Sequence, residues 1–148
     1  MSANKVLFVS RNSINNLAGD WRDWACISIS EPTAPGEASI EEEQFSGLLR
    51  ASFHDVIPGR SYDEPFQLMA ATDAEKIVEF FLQHRDGVCG FIITCKAGIS
   101  RSAAVAKWVS GALGLPFNQD YGHFNTHVYR LLQEAAERSG ALKNLHGD

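Results

Sequence analysis

Three short, almost continuously apolar runs constrain the fold of this 148-residue chain more than any other feature. They cover residues 6–9, 25–29 and 90–94. Runs of this length without polar alternation are typical of strands that are covered on both faces, as in parallel sheets. Residues 48–53 form a fourth run and also predict a strand. The segment between residues 31 and 43 contains prolines and a run of glutamates, which indicates an exposed connection that ends in a short helix.

Helical patterns follow these strands. Thr72-Asp73-Ala74-Glu75 predicts a capping box at the start of a helix that ends near His84. The apolar residues at helical spacing that we expect to face the core are Ala74, Ile77, Val78, Phe81 and Leu82.

Two further helices are predicted. One covers residues 100–113, is apolar almost all round, and is therefore expected to be buried. The other begins after Asn125, a favourable N-cap, and ends at Arg138. Strands that alternate with helices predict an α/β fold, with a central, mainly parallel sheet flanked by helices.

Composition limits the class of protein. The length fits one domain over residues 1–148, and 45% hydrophobic with 21% charged residues is ordinary for a globular chain. A net charge of −5 disfavours a nucleic-acid partner. No apolar stretch is long enough for a membrane span or a secretory signal. The cysteines Cys26, Cys89 and Cys95 do not form a disulfide framework, so we expect a cytoplasmic protein with reduced thiols. We also expect a monomer.

The segment with the clearest chemistry is Cys95-Lys-Ala-Gly-Ile-Ser-Arg-Ser102, which joins a buried strand to a buried helix. This arrangement directs backbone N–H groups and the positive end of a helix dipole at one point, where an anion can bind. Gly98 permits a positive φ and a close approach of the backbone. Arg101 offers a planar fork that matches two oxygens of a phosphate.

Cys95 is the candidate nucleophile of this loop. A helix N-terminus beside an arginine can lower a thiol pKa to about 3.5–7.5, which produces a thiolate at neutral pH. The thiolate can then attack phosphorus and form a cysteinyl-phosphate. Ser102 is placed to donate a hydrogen bond to the sulfur when water later displaces it.

This segment resembles the Cys-x-x-Gly-x-x-Arg-Ser/Thr signature of cysteine-dependent protein tyrosine phosphatases, and especially their small dual-specificity branch. The resemblance implies an enzyme without metal or cofactor that hydrolyses phosphotyrosine, and also phosphoserine or phosphothreonine, in proteins or peptides. It implies that Cys95 is the nucleophile and that Ser102 assists hydrolysis. The phosphate-binding residues that it implies are Lys96, Ala97, Gly98, Ile99, Ser100 and Arg101.

The general acid and the residue before the nucleophile are less well defined by this resemblance. Phe53-His54-Asp55 resembles the strand end that carries the family's acid, so Asp55 is the predicted general acid. Asp63 competes with it, because its distance from Cys95 in sequence is the more usual one. Most members have His where this chain has Thr94, and we expect a higher pKa for Cys95 than in a His-bearing relative.

Several alternatives stay open. Residues 6–13 superficially resemble the start of low-molecular-weight tyrosine phosphatases, but no cysteine stands near Ser10. Rhodanese-like and arsenate-reducing proteins also use a cysteine in an anion-binding loop. A phosphoinositide or nucleotide phosphatase, or a phosphate-binding module without turnover, would use the same residues. His123 and His127 are read as ordinary surface histidines rather than metal ligands, and Cys89 as a packing residue rather than a redox partner.

Overall fold

The computed structural model describes residues 2–32 and 37–140. Within these ranges the strands are β1 (Lys5–Ser10), β2 (Trp24–Ser30), β3 (Gly47–Ser52) and β4 (Gly90–Cys95). The helices are α1 (Arg11–Asn15), α2 (Ala71–His84), α3 (Arg101–Ala112) and α4 (Thr126–Ser139), with a 3-10 turn at Glu42–Gln44.

The strands form one sheet in the order β1-β4-β2-β3, and every pairing is parallel. The predicted α/β class with a central parallel sheet is therefore confirmed. Because the strands run in the same direction, their carboxyl ends meet at one edge, where open α/β sheets bind ligands. Ser10, Ser30, Ser52 and Cys95 end their strands at this edge.

Burial differs between the strands. All residues of β4 are buried, and those of β2 are buried after Trp24, as expected for strands covered on both faces. The same expectation is wrong for β1, where Leu7 is 41% exposed. The reason is its place at the edge of the sheet, which the apolar run alone does not reveal.

The predicted helices form with small corrections. The N-cap of α2 is Ala70, whose N–H donates to the Asp73 carboxylate at 2.8 Å, so Thr72 is not the cap. Leu82 is exposed, which contradicts its predicted place in the core, and Phe80 is buried instead. The rest of the predicted stripe is buried as expected, and Phe80 joins it because its ring packs edge-on against Phe91 of β4.

Helices α3 and α4 agree with their predictions. Helix α3 is buried along most of its length, and Asn125 caps α4 by accepting a 3.0 Å hydrogen bond from the Val128 N–H. His127 is buried rather than on the surface, with Nε2 3.1 Å from the Met69 carbonyl oxygen.

The connection after β2 is less exposed than expected. Residues 33–36 of this predicted connection lie outside the described residues, but Ala38 and Ile40 beyond them are buried. They pack with Ile14, Cys26 and Ile92 in a second apolar cluster on one face of the sheet. Among the described residues, no helix is both long and apolar enough to cross a membrane.

Candidate active site

Cys95 lies at the carboxyl end of β4, is the first residue of the 95–101 loop, and is only 2% exposed. Its Sγ is 3.1 Å from the hydroxyl oxygen of Ser102 and accepts a hydrogen bond from the Ser102 N–H at 3.4 Å. Sequence reasoning placed both residues in the site, and the structure brings them into contact.

These contacts favour the thiolate. Burial has the largest single effect and by itself raises the pKa of Cys95. The hydroxyl and N–H of Ser102, the charge of Arg101 and the N–H of Gly98 together outweigh burial and hold the pKa of Cys95 below its ordinary value. Cys26 shows the opposite result, because burial raises the pKa of this thiol to about 12. The loop therefore activates one of two buried cysteines.

Gly98 fixes the path of the loop. Its φ is +70°, a left-handed conformation that favours glycine. A Cβ at this position would overlap the backbone of Val9 and Ser10 at the end of β1. The loop therefore lies directly on the neighbouring strand, and any side chain larger than hydrogen would separate them.

Arg101, the first residue of α3, is buried beside the loop at 5% exposure. One terminal nitrogen donates to the Phe53 carbonyl oxygen at 2.8 Å, and the other pairs with the Glu31 carboxylate at 2.8 Å. The Nε atom is buried and has no hydrogen-bond partner among the described residues. Since a buried unpaired donor is costly, this nitrogen is suited to an oxyanion.

Glu31 was not identified from the sequence, where it stood at the start of a connection. It follows β2, and its carboxylate binds Arg101 on one side and Arg11 at 3.1 Å on the other. The signal that could have found it is its position one residue after a strand end, at the edge of the sheet where Cys95 and Arg101 are expected.

Asp55 lies beside the same loop. Its Oδ1 accepts hydrogen bonds from the Ser100 hydroxyl at 2.8 Å and from the Asn125 side-chain amide at 2.9 Å. Among the described residues no hydrogen bond reaches its Oδ2. Asn125 was predicted only as a helix cap, yet its amide also bonds the Val56 carbonyl oxygen at 3.2 Å.

The competing carboxylate is placed differently. Asp63 is exposed and forms no hydrogen bond or ion pair with the described residues. Thr94 is 1% exposed, and its hydroxyl lacks a partner in the described part of the chain. The structure thus brings Asp55 to the loop, does not bring Asp63 there, and leaves the influence of Thr94 on Cys95 a prediction.

The remaining loop residues form its rim. Lys96, Ala97 and Ile99 are exposed, and Ser100 is half-buried. The Tyr121 hydroxyl donates to the Ile99 carbonyl oxygen, which ties the loop to the segment before α4. Burial, and then the charge of Cys95, raise the pKa of Tyr121, so its phenol lies within the electrostatic reach of the thiolate.

The other candidates of the sequence do not join the site. Cys89 stands at the opposite end of β4, about 20 Å from Cys95 at the usual rise of a strand. In residues 2–32 and 37–140, no cluster of three or more His, Cys, Asp or Glu side chains is arranged to hold a metal ion.

Comparisons with known proteins identify little. No known family matches the chain, and no curated protein matches its sequence. One solved structure with a similar chain is described as "Crystal structure of Tk-PTP in the active form". The two chains superpose over 96% of this one and 91% of the other, with a TM-score of 0.44 and 16% sequence identity. Similarity at this level assigns neither an activity nor a substrate to the chain.

Proposed function

We propose that this chain is a cysteine-dependent phosphatase that hydrolyses phosphate monoesters through a cysteinyl-phosphate. The observation that carries the proposal is that one loop holds both a buried Cys95 thiol of lowered pKa and Arg101, whose buried Nε lacks a partner among the described residues. A nucleophilic sulfur and an unpaired donor on one loop suit a phosphoryl group, which needs attack at phosphorus and neutralisation of its oxygens.

In the first step the Cys95 thiolate attacks phosphorus, and the bond from phosphorus to the leaving oxygen breaks. Nε of Arg101 and the N–H groups of the loop bind the other phosphate oxygens. Asp55 donates the proton that the leaving oxygen needs, from the Oδ2 that no described residue engages. Oδ1, held by Ser100 and Asn125, fixes the orientation of this carboxyl group.

In the second step water attacks the cysteinyl-phosphate, and the sulfur leaves as a thiolate. Ser102 is 3.1 Å from that sulfur, and its hydroxyl and N–H stabilise the charge that returns to it. Asp55, now ionised, accepts a proton from the attacking water. Inorganic phosphate is released, and the carboxyl group is again protonated for the next turnover.

We propose a phosphoprotein or phosphopeptide as the substrate, with phosphotyrosine preferred. Lys96 is the only charged side chain among the variable positions of the loop, and the exposed neighbour Ile99 offers an apolar contact to an aryl leaving group. A small dual-specificity phosphatase would also accept phosphoserine and phosphothreonine. A preference for inositol phosphates or nucleotides would identify a phosphatase that uses the same mechanism on substrates other than proteins.

The test is hydrolysis of a panel of phosphopeptides, inositol phosphates, nucleotides and para-nitrophenyl phosphate by wild type and Cys95→Ser. We expect turnover by the wild type and essentially none by Cys95→Ser, which should still bind phosphate. Equal rates in the two proteins would contradict the proposal. Phosphate binding by both without turnover in either would identify a binding module instead.

A further inference from the structure

The end of β1 and the residue after it, Arg11, to which the sequence assigned no role in the site, lie against the 95–101 loop. Ser10 of β1 pairs with Cys95 of β4, and Gly98 packs on the backbone of Ser10. The next residue, Arg11, donates its backbone N–H to the Lys96 carbonyl oxygen at 3.3 Å. The N-terminal strand therefore supplies one wall of the 95–101 loop.

The side chain of Arg11 extends this contact. Its guanidinium pairs with Oε1 of Glu31 at 3.1 Å, and Oε2 of the same carboxylate pairs with Arg101 at 2.8 Å. The side chains of Arg11 and Glu31 are only 17% and 19% exposed. A single carboxylate thus bridges two guanidinium groups in a partly buried setting, where charges are screened less than in water.

The net charge of this bridge depends on whether Glu31 is ionised. Burial, the largest effect, raises the pKa of Glu31, but its contacts with Arg101 and Arg11 lower it further than burial raises it. Glu31 is therefore ionised at neutral pH. A pair formed by Glu31 and Arg101 alone is neutral and attracts an incoming anion weakly. With Arg11 included, the bridge carries one surplus positive charge.

We infer that Arg11 is a positioning residue that neutralises Glu31 and so keeps the charge of Arg101 available to the phosphate. This inference rests on the proposed function of the loop and adds a residue from outside its signature. Glu31 holds one terminal nitrogen of Arg101, the Phe53 carbonyl oxygen holds the other, and Nε stays unpaired for the ligand. Arg11 allows Glu31 to orient Arg101 without cancelling its charge.

A purely structural role predicts different behaviour. If Arg11 only attached α1 to the sheet, removing Glu31 as well would add to the damage caused by its loss. If Arg11 acts by charge, the loss of both groups restores the surplus positive charge on Arg101. The double variant Arg11→Gln/Glu31→Gln therefore separates the two roles.

The experiment measures the affinity for inorganic phosphate by calorimetry, in a Cys95→Ser background that cannot turn over. We expect Arg11→Gln to raise the Kd for phosphate about tenfold, the order expected for one charge lost near the site. Arg11→Lys keeps the charge and should stay within about threefold of the parent. Arg11→Gln/Glu31→Gln should recover most of the lost affinity.

The control is Arg22→Gln, since Arg22 forms an exposed ion pair with Asp20 and should leave the Kd unchanged. Thermal unfolding shows whether each variant is folded. If Arg11→Gln does not fold, the Kd of Arg11→Lys decides the outcome. An unchanged Kd in Arg11→Gln, or weaker binding in the double variant than in Arg11→Gln, overturns the inference. If the Cys95→Ser parent itself binds no phosphate, the proposed function fails together with the inference.

Discussion

The two loops that meet at the candidate site are held in place in different ways. The 95–101 loop joins a buried strand to a buried helix, and Gly98 fixes it against β1. The loop of residues 55–66 is exposed over most of its length and is closed at its base by two bonds between His54 and Gln67. It meets the 95–101 loop through Asp55 and Ser100.

This difference shows where the information for each loop resides. The shape of the 95–101 loop follows from its own residues, because a strand, a positive-φ glycine and a helix start leave few paths for the backbone. The position of Asp55 depends on Ser100 and Asn125, which lie far from it in sequence. The first loop should therefore be sensitive to changes within it, and the second to changes at its contacts.

Replacing each of the two aspartates of the 55–66 loop by asparagine, in separate variants, gives the largest expected difference. Asp55→Asn should lose about 10²–10⁴-fold in kcat/KM on a substrate with a poor leaving group, because the proton donor is gone. The loss on a highly activated aryl phosphate should be smaller, and the basic limb of the pH–rate profile should flatten. Asp63→Asn is the matched control and should resemble wild type. The reverse pattern would assign the acid to Asp63.

Replacing Arg101 by lysine tests the 95–101 loop itself. We expect Arg101→Lys to lose about 10²–10³-fold in kcat/KM, because a point charge cannot replace a fork held by Phe53, Glu31 and the ligand. The same exchange at the exposed Arg22 should have no effect on kinetics. A near-normal rate for Arg101→Lys would show that charge alone suffices at this position.

Alanine variants at two glycines, one in each loop, compare how tightly the loops are packed. Gly98 and Gly59 both have a positive φ, but a Cβ at Gly59 would meet no atom within 4 Å. Each Ala variant loses about 1–2 kcal/mol of unfolding free energy from backbone strain. Gly98→Ala should lose about 1–3 kcal/mol more from overlap with β1, and its activity as well. Urea denaturation measures both losses, and equal values would mean that the loop can move away from β1.

The smallest effect concerns Thr94. Thr94→His should lower the pKa of Cys95 by up to about one unit, worth about 1.4 kcal/mol, because an imidazolium beside the sulfur favours the thiolate. The pH dependence of iodoacetamide alkylation at Cys95 measures this shift. Thr94→Val is nearly isosteric and removes the unpaired buried hydroxyl, so it should leave the midpoint unchanged. The same midpoint in all three proteins would show that position 94 has no influence.

Much of the fold could be predicted from the sequence, because apolar runs and helix ends are local patterns. The 95–101 loop could be predicted for the same reason, since its cysteine, glycine and arginine lie within one segment of seven residues. The edge position of β1 could not, because it depends on which strands pair. Arg11 and the second role of Asn125 were missed because their contacts come from distant segments and leave no local pattern. Glu31 was missed although it directly follows a strand end, because its two arginine partners are also distant in sequence.

The contact of Gly98 with the end of β1 also bears on how the molecule folds. Strand β1 pairs with β4, which lies far along the chain, and Gly98 contacts the end of β1 only when that pairing exists. Contacts of such long sequence separation form slowly, because much of the intervening chain must be ordered first. During refolding, the ability to bind phosphate should therefore return in the last kinetic phase, after helix formation is complete. A chain whose first strand has not yet docked would lack the wall of the anion site that β1 supplies.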